Sequence, residues 1–389
     1  MIPYGRQEID AEDIQAVVEV LKSPLITQGP KVEAFEQALA SYCHAQHAVA
    51  VSSATAALHL ACLALDVGAG DLVWTVPNTF VASANAARYC GAAVDFVDID
   101  ATTGNLCVQA LAEKIANTQE QGKPLPKALI PVHFAGASCN MKAIHALCAP
   151  LNIRIIEDAS HAIGGKYEGE PVGCCRYSDM TVFSFHPVKI ITTAEGGAIT
   201  TNSGVLAERL AMLRSHGITK DKARMQNNNA PQWYYEQHEL GYNYRLSDLQ
   251  AVLGLSQLSK IDRFIQQRNH LAERYSQALK GSPIGALQVP AHSYSSYHLF
   301  VIQVPAEQRE PLFHRLRGAN IGVWVHYIPV HTQPDYQALG FNHGDFPVSE
   351  TYYQQALTLP LFTTLAESQQ DFIIAELLNA TELKATGLK

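Results

Sequence analysis

Short apolar runs rich in Val, Ile and Ala alternate along this chain with longer stretches in which apolar residues recur at helical spacing. "HAVAVSSATAALHLACLAL" (47–65) reads as a short strand, a Ser-Ser-Ala-Thr turn and an Ala/Leu-rich helix. "AAVDFVDID" (92–100) and "NIRIIEDASHAIGG" (152–165) read as strands with acidic ends. "KALIPVHFAG" (127–136) is a continuous apolar run closing at a Gly turn. "MTVFSF" (180–185) alternates like a strand, and "AITT" (198–201) follows a Gly-Gly pair. Helical patterns such as "MKAIHALCAPL" (141–151) lie between them. Near-continuous apolar strands separated by helices predict an α/β fold with a mainly parallel sheet covered on both faces. Ligands of such sheets bind at the carboxyl ends of the strands, where polar residues gather here.

"DAEDIQAVVEVL" (10–21) predicts a helix with Asp10 as N-cap and Ile14, Val17, Val18 and Leu21 on one face. "GYNYRLSDLQAVLGLSQL" (241–258) begins as a loop and becomes a helix, with Ser247 and Gln250 in capping-box spacing. "KDKARMQNNNAPQWYYEQHE" (220–239) is polar and irregular, and is expected to be a mobile loop. After about residue 265 the character changes. A polar helix (266–279) leads into "SYHLFVIQV" (296–304), a helix at 310–320 and the run "IGVWVHYIPVH" (321–331). We therefore expect a large domain over 1–265, including the N-terminal segment, and a smaller α+β domain over 266–389.

At 389 residues and 47% hydrophobic composition, the chain is long and apolar enough for one large core and a smaller one. Its net charge of −8 argues against a general nucleic-acid binder but leaves room for a local cationic pocket. The start, "MIPYGRQEIDAEDIQ", has no signal-peptide pattern, and no apolar run reaches bilayer length. The eight cysteines form no C-x-x-C and read as reduced thiols of a cytoplasmic protein. The sixteen histidines show no zinc spacing, so no metal site is expected.

Lys189 sits in "SFHPVKIITTAEGGAITT" (184–201), a polar junction between two strand-like runs. One strand earlier, Asp158 ends a buried run with His161 close behind. Alone, Asp158 is better read as a solvated loop residue. Together the pair suits pyridoxal phosphate chemistry. The lysine holds the cofactor carbonyl as a Schiff base and later moves protons, while the carboxylate keeps the pyridine nitrogen protonated. Burial would lower the lysine pKa and free its amine. Ser52, Ser53, Ala54 and Thr55 stand at a strand-to-helix turn whose N–H groups suit a phosphate, although such residues are also ordinary N-caps. Ser184 could add a hydroxyl or simply bond the backbone. Phe80, at another loop-to-helix junction, could stack on the ring, yet taken alone it reads as core.

"EDASHAIGG", "FSFHPVKIITTAEGGAITT", "RSHG", "GYNYRLSDLQAVLGLSQL" and "VHYIPVH", with "PYGRQEID", "LITQGPKVEAFE" and "LTLPLF", resemble the nucleotide-sugar aminotransferases, a family of fold-type-I pyridoxal phosphate enzymes. The resemblance spans nearly the whole chain. It implies a large domain with a mainly parallel, seven-stranded type of sheet between helices, and a small α+β domain. It implies Lys189 as the cofactor lysine, Asp158 as partner of the pyridinium, His161 beside the ring and Phe80 stacked on it. Ser53, Ala54, Thr55 and Ser184 would hold the phosphate. Asn243 would reach the cofactor of a neighbouring subunit, implying a homodimer with shared active sites. Tyr4, Pro24, Leu25, Ile26, Thr27, Val325, His326, Tyr327 and Ile328 fall at substrate positions, although from sequence alone Tyr4 and Tyr327 are better read as aromatic packing. Arg214 and Arg245 are the candidates for the carboxylate of the amino donor. A branch of the family that carries His in place of the lysine is a dehydratase; Lys189 therefore favours transamination. Relatives acting on a UDP-pentose carry Lys and Asn where this chain has Asn243 and Arg245, which favours the hexose branch; the reaction the resemblance implies moves the amine of L-glutamate to the 4-keto carbon of a UDP-linked 6-deoxy sugar. Another ketosugar nucleotide, or a non-catalytic binding protein, remains the alternative.

Overall fold

The computed structural model describes residues 1–227 and 229–385, the side chains of 381–385 excepted. Its centre is a seven-stranded sheet built from β1 (His47–Val51), β2 (Leu72–Thr75), β3 (Ala93–Phe96), β4 (Ala128–Ile130), β5 (Arg154–Asp158), β6 (Met180–Ser184) and β7 (Gly197–Thr201). The order across the sheet is β1-β7-β6-β5-β4-β2-β3. Pairings from β6 through β3 are parallel, and β7 runs antiparallel to both its neighbours. The mainly parallel α/β architecture expected from the apolar runs is the one observed.

The two-residue period of the strands sorts their side chains between the faces. Ile156, Met180, Val182 and Ile199 join one core with the helix Ala54–Ala64, while Ile155, Leu129, Phe183 and Ala198 face the other side. This parity decides which carboxylate of the Glu157-Asp158 pair reaches which face. Asp158 follows Ile156, whereas Glu157 turns to His133, 2.6 Å away, with Thr181 also bonded to it.

The first helix is Ala11–Lys22, and Asp10 caps it through a capping box with Asp13. Its expected apolar face is not what docks it. Ile14 and Leu21 are 58% and 57% exposed. The helix is held instead through buried Val20 and Asp13, whose carboxylate accepts from Ser256, Gln257 and Lys260. The 241–258 segment folds as read, with the helix Asp248–Leu258 capped by Ser247 and Gln250.

The change of character near residue 265 falls inside one continuous helix, Ile261–Leu279. Beyond it, Gly285–Ala286, Phe300–Gln303 and Ala356–Leu359 form a three-stranded antiparallel sheet backed by helices Ala306–Gly318 and Glu367–Ala385. The 321–331 run forms no full strand; it is tied down by bridges from Ile321 to Ile2 and from Trp324 to Thr358 and ends in the 3-10 turn Val330–Thr332. Ser293–Tyr294 pairs with Lys166–Tyr167, joining this part of the chain to the loop after β5.

Candidate active site

A cavity of about 410 Å³ opens at the carboxyl end of the parallel strands. Its floor is the end of β5. Asp158 is buried there, and its Oδ1 accepts from the Ser160 N–H (3.1 Å) and hydroxyl (2.6 Å). Its Oδ2 accepts from the Ser83 hydroxyl at 2.6 Å, and Ser83 in turn bonds Thr79 at 2.7 Å. Three donors fix the carboxylate, and Oδ2 retains a lone pair for one more N–H.

Lys189 follows β6 on a turn closed by its own N–H to the His186 carbonyl. Burial pushes its amine down to about 8, and Asp158 opposes that shift. The residue keeps some accessible surface through the cavity, but the amine lies among protein groups, with His298 Nε2 at 3.5 Å. His161 Nδ1 accepts from the Ala135 N–H at 3.3 Å, so its proton sits on Nε2, 3.0 Å from the Tyr327 hydroxyl. Burial first, then the nearby Lys189, holds the His161 imidazole well below its ordinary pKa.

The helix Ala54–Ala64 points its N-terminus at the cavity. The Ser53 side chain accepts from the Ala56 N–H, so Ser53 is an N-cap. The N–H groups of Ala54 and Thr55 stand in the first turn, where a helix supplies no acceptor. Ser184 closes the same wall. Gly197 lets this cradle form: a Cβ there would stand 2.6 Å from Ala54 N and from the Ser53 carbonyl carbon. Gly197→Ala is expected to cost about 1–3 kcal/mol of stability by overpacking and to weaken cofactor retention, read by thermal melts with and without pyridoxal phosphate.

Phe80 is 60% exposed over the cavity rather than buried in the core. Tyr4, His326 and Tyr327 also line the cavity, with Tyr4 and His326 rings 5.5 Å apart and the Tyr327 ring 6.4 Å from that of Phe80. The Tyr327 N–H is held by Asn78 Oδ1 at 3.2 Å. These residues fit a phosphorylated pyridine aldehyde: a buried amine for the carbonyl, a fixed carboxylate for the ring nitrogen, an open aromatic face, and unpaired N–H groups for the phosphate.

Several expected substrate residues lie elsewhere. Arg214 does not line the cavity; its guanidinium is held by Glu36 and by the Ala50 carbonyl at 2.6 Å. Pro24, Leu25, Ile26 and Thr27 are exposed outside it, anchored where the Asp248 N–H meets the Ile26 carbonyl. Val325 packs against the C-terminal core, and Ile328 faces solvent. Arg245 bridges to Val51, and Asn243 is exposed and bridges to Ser215, both outside this chain's own cavity. The sequence reading missed Thr79, Ser83, Ser160, Trp324 and His298. For Ser83 and Ser160, the signal was available in small polar residues beside Phe80 and Asp158.

Buried lysine, fixed carboxylate and helix-end cradle on a mainly parallel sheet define a fold-type-I pyridoxal phosphate-dependent aminotransferase. The model of the DegT/DnrJ/EryC1/StrS aminotransferase family matches residues 7–378, and the chain belongs to that family of nucleotide-sugar aminotransferases. It is 38% identical over 381 residues (96% of this chain, 95% of the relative) to the spore coat polysaccharide biosynthesis protein SpsC of Bacillus subtilis (strain 168). It is 38% identical over 392 residues (100% of this chain, 99% of the relative) to a UDP-4-amino-4,6-dideoxy-N-acetyl-beta-L-altrosamine transaminase of Campylobacter jejuni. The Streptococcus pneumoniae sugar aminotransferase Spr1654, solved in PLP- and PMP-forms, superposes in its PMP-form with a TM-score of 0.89 at 32% identity, over 98% of this chain and 99% of its own.

Proposed function

We propose that this aminotransferase moves the amine of L-glutamate to the 4-keto carbon of a UDP-linked 4-keto-6-deoxy-N-acetylhexosamine, giving UDP-4-amino-4,6-dideoxy-N-acetyl-β-L-altrosamine for pseudaminic acid biosynthesis. The observation that carries the reading is the meeting of Lys189 and Asp158 in one cavity, whose volume of about 410 Å³ suits a small ligand. The name of the Campylobacter jejuni relative supports the choice of sugar. Pyridoxal phosphate, when bound, supplies a carbonyl that takes up an amine and a ring that accepts electrons.

The chain's residues do the rest. Lys189 Nζ takes the proton from the α-carbon of the donor and returns one to the carbon that receives the amine. Asp158 would accept the ring N–H, with Ser83 and Ser160 keeping the carboxylate aimed. Phe80 would stack on the ring and His161 would stand beside it. Ala54 and Thr55 N–H groups, with Ser53 and Ser184, hold the phosphate. Tyr4, Trp324, His326 and Tyr327 form the wall where the sugar enters. The exposed apolar side chains Ile14, Leu21, Leu25 and Ile26 support a homodimer. Such a dimer would let Asn243, and the 24–27 segment, complete a neighbour's site. We place the enzyme in the cytoplasm, where nucleotide sugars and glutamate are at hand.

The equal identity to SpsC favours a second reading, another ketosugar nucleotide as acceptor. Turnover with glutamate across UDP-4-keto-hexosamines, a UDP-4-keto-pentose and dTDP-ketosugars separates them. The expected result is kcat/KM at least about 100-fold higher for the UDP-N-acetylhexosamine, since a site built to bond a substrate group strongly rejects an analogue lacking it. Preference for a dTDP-sugar or the pentose would overturn the first reading.

A further inference from the structure

We propose that His298 is a positioning residue that donates a hydrogen bond to the Lys189 amine and so holds that amine in its neutral, proton-accepting form. His298 lies just before the strand Phe300–Gln303, far in sequence from the motif around Lys189. Its buried ring stands between two site residues, with Nε2 3.5 Å from Lys189 Nζ and its centroid 4.4 Å from that of His161. Its backbone is fixed from two directions. The buried Arg268 donates to the carbonyls of Tyr297 (3.2 Å), His298 (3.4 Å) and Leu361 (3.1 Å). Gly136 comes so close that a Cβ there would lie 2.9 Å from the His298 nitrogen.

The tautomer follows from what the other ring nitrogen lacks. Among the described residues no group meets His298 Nδ1, although the atom is buried. A buried N–H without an acceptor is rarer and costlier than a spare lone pair. The proton therefore belongs on Nε2, facing Lys189. An Nε2–H needs a lone pair opposite it; a neutral amine has one and an ammonium has none.

The surrounding charges agree. His298 is faced by Lys189, His161, Arg268 and His326, and burial followed by these neighbours keeps its imidazole uncharged. Both ring nitrogens of His161 are committed, to Tyr327 and Ala135, so it does not offer Lys189 the same contact; His326 bonds Thr358 through Nδ1 at 2.8 Å. Asp158 alone favours the ammonium, against burial. At 3.5 Å the contact stands just within hydrogen-bond length.

The role deepens the proposed reaction and rests on it, because a poised amine matters only if Lys189 moves protons. The test needs no turnover. Full-length protein freed of cofactor is labelled with trace acetic anhydride across pH 6–10, and acetylation of Lys189 is followed by peptide mass spectrometry. His298→Phe removes the donor and should raise the Lys189 titration midpoint by roughly 0.5–1 pH unit, leaving three- to tenfold less reactive amine at pH 7. His298→Gln, whose amide N–H reaches the place of Nε2, should restore most of the shift; a merely structural role would not give that rescue. Should His298→Phe fail to fold by circular dichroism, His298→Asn replaces it, since its shorter amide leaves the Nε2 position empty. A midpoint that stays or falls in the variant without the donor, or one that rises equally in His298→Gln, overturns the proposal. Glutamate-dependent conversion by the loaded wild-type enzyme, measured in parallel, reports separately on the reaction itself.

Discussion

Lys189→Arg should leave a folded protein with no visible cofactor band and with turnover reduced about 1,000-fold or more, because both the covalent anchor and the proton carrier are gone. Arginine keeps the positive charge and most of the length, so a loss cannot be put down to a missing cation. Its guanidinium stays protonated at every accessible pH and has no lone pair to offer a carbonyl or a carbon acid. In the wild type, burial brings the amine down to about 8, close enough to neutrality for a useful neutral fraction. The sign is definite. Below that value the amine is mostly protonated, so the rate of capture of added pyridoxal phosphate by the apo protein should climb as pH rises through about 8 and then level. Stopped-flow absorbance reads this directly. Full activity in Lys189→Arg would remove the basis of the proposed function.

Asp158→Asn should retain the cofactor yet slow glutamate conversion by roughly 100- to 1,000-fold, the scale of losing one buried, preorganised electrostatic partner. The substitution is nearly isosteric, but its amide must present an NH2 to a shell of donors. Ser83 and the Ser160 hydroxyl and N–H all point hydrogens at the carboxylate. One of them loses its acceptor, and the ring nitrogen no longer meets a negative charge. Single-turnover decay of the cofactor band with glutamate isolates this half-reaction. The companion Ser83→Ala should reduce the same rate far less, since two donors still aim the carboxylate. Equal losses in the two variants would assign the effect to packing rather than charge.

What could be read from the sequence follows from which signals are local. Lys189 and Asp158 were legible because each ends or follows a strand with a clear apolar rhythm, and because their order along the chain fits one chemistry. The capping box at Ser247 and Gln250 was legible for the same reason: all its partners lie within one turn. His298 and Trp324 carried no such signal. Trp324 reaches the cavity, and His298 reaches Lys189 and His161, through tertiary docking of a chain segment more than a hundred residues beyond Asp158, and nothing in "SYHLF" distinguishes a site histidine from a core one. Arg214 shows the opposite situation. An arginine after a helix looks the same whether it awaits a substrate carboxylate or, as here, already pairs with Glu36. The apolar face of the first helix was read from spacing alone, but a buried Asp13 and its three partners decide how that helix docks.

The walls of the cavity come from residues 4 through 327, and Ile2 is bridged to Ile321 near the far end of that span. Closing so wide a loop belongs to the slow, entropy-limited part of folding. During synthesis, the cradle at Ala54, the carboxylate at Asp158 and Lys189 all emerge well before His326 and Tyr327 can complete the wall. Acquisition of colour during refolding should therefore lag behind the return of secondary structure, making the cofactor a reporter of the last docking event.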